Sequence, residues 1–125
     1  DHLSKPPIEL DDSEPWWSLI AKAAEYPNIF AKVSGLYSAT ADSGAWTPDL
    51  VRPYLHRAIE CFGTARLMYG GDWPISVLSG DYDRVWDGLS LLFDELSATD
   101  KADILGRTAA EFYRIDPARI AAVKR

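Results

Sequence analysis

Two hydrophobic periods alternate along this chain. Short, almost wholly apolar runs at residues 29–34 (Ile-Phe-Ala-Lys-Val-Ser) and 67–69 (Leu-Met-Tyr) each stop at glycine, as buried strands do. Between and after them, apolar residues recur at helical spacing, most clearly Val85, Leu89, Leu92, Phe93 and Leu96 within a helix expected over 81–96. Ser13, Glu14 and Pro15 read as a cap and first turn for a helix reaching about Glu25, with Pro27 as its stop. A second helical region should start at Thr47-Pro48 and end at Phe62 before Gly63, broken near Pro53, whose ring lacks the donor a helix interior needs. A polar loop is expected over 37–46. Ser97 or Thr99 should cap a short helix, and 108–114 and 117–124 close the chain helically.

Strand, helix, strand, helix, strand, helix is the order of βαβ units in a parallel sheet. It is completed by reading Asp1-His2-Leu3 as the end of a strand, followed by the loop Ser4-Lys5-Pro6-Pro7. Right-handed crossovers would leave all strand carboxyl ends on one rim, and that rim is where α/β folds do chemistry. His2, the turn after Ser34-Gly35, and Asp72 would meet there. Asp72 in particular closes an apolar run at Gly70-Gly71 and precedes Trp73-Pro74. The alternative for Asp72 is a turn-capping role, because aspartate is common in glycine-rich turns.

Composition narrows the options. At 125 residues and 47% hydrophobic content the chain is one ordinary domain or a piece of a larger one. The net charge of −6 argues against nucleic-acid and anionic-membrane partners. No apolar run is long enough to span a bilayer, and a cytoplasmic setting is the default expectation. The single cysteine, Cys61, excludes an intrachain disulfide framework and a thiolate zinc cluster. The chain begins Asp1-His2-Leu3 and its one methionine is Met68, so a processed or partial sequence is expected.

Four segments in order carry a family resemblance: Asp1-His2-Leu3-Ser4-Lys5-Pro6, Lys32-Val33-Ser34-Gly35-Leu36, Leu67-Met68-Tyr69-Gly70-Gly71-Asp72-Trp73-Pro74 and Ala109-Ala110-Glu111-Phe112-Tyr113-Arg114. Together they resemble the C-terminal part of the amidohydrolase-related (amidohydrolase 2) family, in its sugar-lactonase branch. The resemblance implies the C-terminal half of a TIM-like (β/α)8 metal-dependent-hydrolase barrel, with residues 1–125 forming part of a single domain whose N-terminal half is absent. It implies that Asp72 ends the last barrel strand and that His2 ends a middle one. A His-x-His pair of the family's first strand would lie upstream.

Lactone hydrolysis is the reaction so implied. It needs a base for water, polarisation of the carbonyl and an acid for the leaving alkoxide. Asp72 is the expected general base and acid. His2 is expected as a metal ligand or carbonyl-polarising group, with Asp72 as a second candidate ligand. One divalent metal such as zinc, or metal-independent hydrolysis, are both open. Trp73 and Trp46 are expected at the pocket mouth or wall, as substrate contacts for a sugar ring. Lys32 reads as a structural lysine beside a strand, His56 as a surface residue, Trp16, Trp17 and Trp86 as packing, and Phe112-Tyr113 as a core anchor for the terminal helix.

The usual Gly-Ser-Asp-Trp-Pro of the family reads Gly70-Gly71-Asp72-Trp73-Pro74 here, and the usual asparagine near the terminal helix is Thr108. The loop Leu36-Tyr37-Ser38-Ala39 has no basic residue to hold a substrate carboxylate, which favours a neutral sugar lactone over a dicarboxylate. The expected partner is that small molecule, with no nucleic acid and no membrane. The open barrel edges would need the N-terminal half or another chain. Two other functions fit the residues: a non-catalytic partial barrel or assembly module, and a decarboxylase or hydratase on the same scaffold.

Overall fold

A parallel pair of short strands, β1 (Ala31–Val33) and β2 (Leu67–Tyr69), lies at the centre of the computed structural model, which describes residues 1–8, 10, 12–40 and 44–123. Ala31 pairs with Leu67, Lys32 with Met68 and Val33 with Tyr69, so the two strands end level. The pairing carries on past them, where the Gly70 amide donates to the Val33 carbonyl at 3.1 Å. Helices α1 (Trp16–Ala24), α2 (Pro48–Phe62) and α3 (Tyr82–Phe93) follow the turn at Leu3, β1 and β2 respectively. The short helices α4 (Ala98–Ala102), α5 (Thr108–Phe112) and α6 (Pro117–Val123) complete the described chain. This is the parallel α/β arrangement that the alternating periods predict. Lys124, the last residue of the expected closing helix, and 41–43 of the expected loop lie outside the described residues.

Side-chain alternation divides the sheet into two faces. Ala31, Val33 and Leu67 are buried with Val51, Leu55, Ala58, Val85, Leu89 and Phe93 of the helices. Tyr69 joins them edge-on against Trp86 and Phe93, at 5.4 and 5.8 Å between ring centres. Lys32 and Met68 occupy the opposite face. There they line an open cleft of about 220 Å³ with Asp1, Phe30, Phe112 and Tyr113.

One guanidinium ties the strand-starting ends of these elements together. Arg66 donates to the carbonyls of Phe62 at the end of α2 and Ala24 at the end of α1, at 3.1 and 3.0 Å. It also reaches Tyr26 and Ile29, in the turn that leads to β1, at 3.0 and 3.4 Å. Helix carboxyl ends leave carbonyls unpaired and partly negative, and a planar cation with five donors suits several at once.

Several local expectations need correction. Asp1 to Leu3 does not continue as a strand: His2, Leu3, Ser4 and Lys5 all take positive φ, between 47° and 58°, and form a left-handed turn. The turn buries Leu3 and aims its carbonyl at Trp16 Nε1, which donates at 2.7 Å. Ser13 does not cap α1, because its hydroxyl faces Tyr54; instead Glu14 accepts from the Ser18 amide at 3.1 Å. α2 runs unbroken through Pro53. The ring removes only the bond to Asp49 in the exposed first turn, where water can take the freed carbonyl. Of the two proposed caps for α4, Ser97 serves, accepting from the Asp100 amide at 3.1 Å. The anchor of the terminal region is Ile104, fully buried, with Thr108, whose hydroxyl donates to the Thr64 carbonyl at 3.1 Å. Phe112 and Tyr113 are about half exposed in this chain, with Phe112 against Phe30 at 4.9 Å.

Ile104 fills a site closed on all sides. Ile104→Ala is expected to cost about 2–5 kcal/mol of stability, read as a lowered midpoint in thermal or denaturant unfolding. A midpoint equal to that of the parent protein would show that Ile104 does not anchor this region.

Candidate active site

His2 and Asp72 meet where β1 and β2 end. His2 Nε2 lies 3.7 Å from Asp72 Oδ1, an ion-pair distance too long for a direct hydrogen bond. Their side chains are 29% and 16% exposed, so the pair is sheltered yet reachable from solvent. The other ring nitrogen, Nδ1, is 2.8 Å from the hydroxyl of Ser34, which follows β1 directly. Both residues stand on left-handed backbone, with φ of 55° at His2 and 52° at Asp72. Non-glycine residues hold such conformations only where the surroundings compel them, and they cluster at functional sites.

Glycine makes the approach possible. Gly35 takes φ +59°, and a Cβ there would stand 2.8 Å from His2 Nδ1 and 2.9 Å from Asp72 Oδ2. Any side chain at 35 would therefore occupy the space in which the two groups face each other. On the far side of Asp72, the Tyr37 hydroxyl donates to the Gly71 carbonyl at 2.9 Å. Burial, and next the neighbouring Asp72 carboxylate, push the Tyr37 phenol well above its ordinary pKa, so it keeps its proton and remains a donor. Gly71 lies beneath Tyr82, whose Cε2 would be 2.5 Å from a Cβ at 71. A side chain at 71 would require the half-exposed Tyr82 ring to shift.

The other candidates are placed differently. Trp73 follows Asp72 with 73% of its surface exposed, and its indole is free to meet a ligand. Trp46 is buried: its Nε1 donates to the Ser79 carbonyl at 3.1 Å, its ring packs 5.9 Å from Tyr37, and Arg84 lies 5.5 Å over it. It braces the loop behind the site and presents no open face. Lys32 projects from β1 on the Ser34 side but pairs with Asp1 at 3.2 Å, away from the His2–Asp72 pair. His56 is exposed beside Glu95 at 3.8 Å, remote from the strand ends. Among the described residues, no cluster of three or more histidine, cysteine or acidic side chains forms a metal site, and no helix is long and apolar enough to cross a membrane.

Ser34, Gly35 and Tyr37 were not singled out for roles by the residue pattern alone. Ser34-Gly35 did stand within a recognised segment, which was a usable signal. Tyr37 carried none, because a tyrosine opening a polar loop looks solvent-facing.

A family model described as amidohydrolase matches residues 1–115. The chain belongs to the amidohydrolase family. It is 37% identical over 122 residues to an L-fucono-1,5-lactonase of Burkholderia ambifaria, a match covering 93% of this chain and 41% of that protein. An L-fucono-1,5-lactonase of Burkholderia multivorans is 33% identical over 124 residues, covering 92% of this chain and 42% of that protein. The crystal structure of a Burkholderia multivorans amidohydrolase with bound zinc superposes with a TM-score of 0.86 at 30% identity, over 93% of this chain and 43% of that one. This amidohydrolase chain thus spans about two fifths of the length of the relatives it matches.

The buried indole of Trp46 carries a clear expectation within this amidohydrolase. Trp46→Phe removes the bond to the Ser79 carbonyl and should cost about 1–3 kcal/mol of stability, read as a lowered midpoint in thermal or denaturant unfolding. An unaltered midpoint would show that this indole does not brace the loop.

Proposed function

We propose that the chain forms the C-terminal half of a TIM-like hydrolase barrel that opens a neutral sugar lactone, with Asp72 as the proton-transferring group. The observation that carries this reading is the meeting of His2 Nε2 and Asp72 Oδ1, 3.7 Å apart, at the level ends of two parallel strands. Similarity to two L-fucono-1,5-lactonases supports the substrate class. The open face carrying Lys32 and Met68 supports the barrel, because further strands from an N-terminal half, or from another chain, would cover it. The activity proposed is that of the complete protein.

In this mechanism the Asp72 carboxylate takes a proton from water as the water oxygen attacks the lactone carbonyl. The ring C–O bond then breaks, and the proton held by Asp72 passes to the departing alkoxide, giving the hydroxy acid. His2, through Nε2, polarises the carbonyl oxygen or holds a metal ion. Trp73 offers its exposed indole to the apolar face of the sugar.

His2 and Asp72 fit part of a divalent-metal site. Their donors are the nitrogen and oxygen types zinc takes, so His2 and Asp72 are the residues of this chain that would hold it. Zinc commonly takes three protein ligands, so the pair would supply only part of the set. Such an ion, when bound, supplies Lewis-acid polarisation of a carbonyl.

Asp72→Asn in the complete protein should lower lactone turnover by about 100- to 10,000-fold while thermal unfolding and circular dichroism stay as in the parent. A panel of aldonolactones, with aromatic carboxylic acids for comparison, identifies the substrate on which to measure this. Normal turnover by the asparagine variant on the substrate the parent opens would overturn the role of Asp72. Turnover of the acids alone would place the chain with decarboxylases or hydratases.

A further inference from the structure

We propose that the turn after β1 is a positioning clamp, in which Ser34 aims the His2 ring, Gly35 admits both groups, and Tyr37 fixes the backbone that carries Asp72. This deepens the lactonase reading and rests on it. His2 and Asp72 come from separate segments, each bonded locally through its main chain, with the Lys5 amide on the His2 carbonyl at 2.8 Å and the Ser76 amide on the Asp72 carbonyl at 3.0 Å. His2 stands on a left-handed turn ahead of the first helix, and Asp72 in the loop after β2. What the two share is the end of β1.

Each hold has a distinct geometry. Ser34 is buried, and its hydroxyl is 2.8 Å from His2 Nδ1, so the ring is gripped by one nitrogen while the other is turned to Asp72. When Ser34 donates, Nδ1 is the acceptor and Nε2 carries the ring proton; when Nδ1 donates, the Nε2 lone pair is free. Either way the ring plane is set by the serine. Tyr37 works on the main chain. Its hydroxyl, on a fully buried ring, holds the Gly71 carbonyl at 2.9 Å. That carbonyl shares a rigid peptide plane with the Asp72 nitrogen, so fixing it restricts the rotation that sets Asp72 φ at 52°. Gly35 leaves the gap between the two open, as the 2.8 and 2.9 Å approaches to its absent Cβ require.

Neither Ser34 nor Tyr37 needs to touch substrate for this role. Partners that orient a ligating or reacting side chain are commonly worth about 10- to 100-fold in activity or metal affinity.

The test is made in the complete protein with Ser34→Ala and Tyr37→Phe, each of which removes one oxygen and keeps the packing. Each should lower kcat about 10- to 100-fold with KM within about twofold, and the melting temperature should stay within about 4 °C of the parent. Ser34→Ala should also shift the ¹⁵N resonances of the His2 ring. In a His2→Ala background it should cause no further loss, since its effect runs through that ring. Wild-type kcat in both variants, or an equal additional loss without His2, overturns the clamp. If Asp72→Asn is inactive while Ser34→Ala and Tyr37→Phe are normal, the clamp fails and the lactonase reading stands. If Asp72→Asn itself is fully active, the reading beneath the clamp fails with it.

Discussion

Level parallel pairing of β1 with β2 is the constraint from which the site follows. Three residue pairs, extended by the bond from Gly70 to Val33, bring Ser34 and Gly70 to the same height. A register shift of one residue would turn Val33 and Tyr69 out of the helix-packed face and Ser34 away from His2. The helices maintain that register by burying Val33, Leu67, Leu89 and Phe93 together. At the opposite ends of the strands, Arg66 ties the helix termini to the turn that starts β1. The sheet is small, but its alignment is determined from both ends.

Elements whose identity depends on local pattern were readable in the amino-acid sequence. The apolar runs gave both strands, Gly63 the end of α2 and the helical period α3, because burial on one face imposes spacing directly on the residues. The meeting of His2 with Asp72 at the strand ends was readable as well, through the motif segments around them. Most of what failed depended on contacts between distant residues. Ser13 looked like a cap, but a partner 41 positions away, Tyr54, takes its hydroxyl. Pro53 looked like a break, but its cost falls on one exposed carbonyl. Trp46 looked like a substrate surface, but Ser79 and Tyr37 enclose it. Tyr37 could not be recognised because its partner is a main-chain carbonyl 34 residues away, which no side-chain pattern records.

The two faces of the sheet differ in how complete they are. The helix-packed face is closed within this chain. The other holds a lysine paired with Asp1, a methionine and a set of half-exposed aromatic rings around a cleft. Phe30 and Phe112 pack where β1 begins, at the end away from His2 and Asp72. The His2–Asp72 pair and the Phe30–Phe112 packing thus lie at opposite ends of the same strands.

Tyr82 over Gly71 bears on how this surface can change over time. A side chain at 71 and the ring at 82 compete for the same volume, with only 2.5 Å between them. Serine, usual at this place in the family motif, could enter only together with a smaller or displaced residue at 82. The glycine beside Asp72 thus leaves room for the Tyr82 ring, which ties the wall of the site to the first turn of α3 through packing alone.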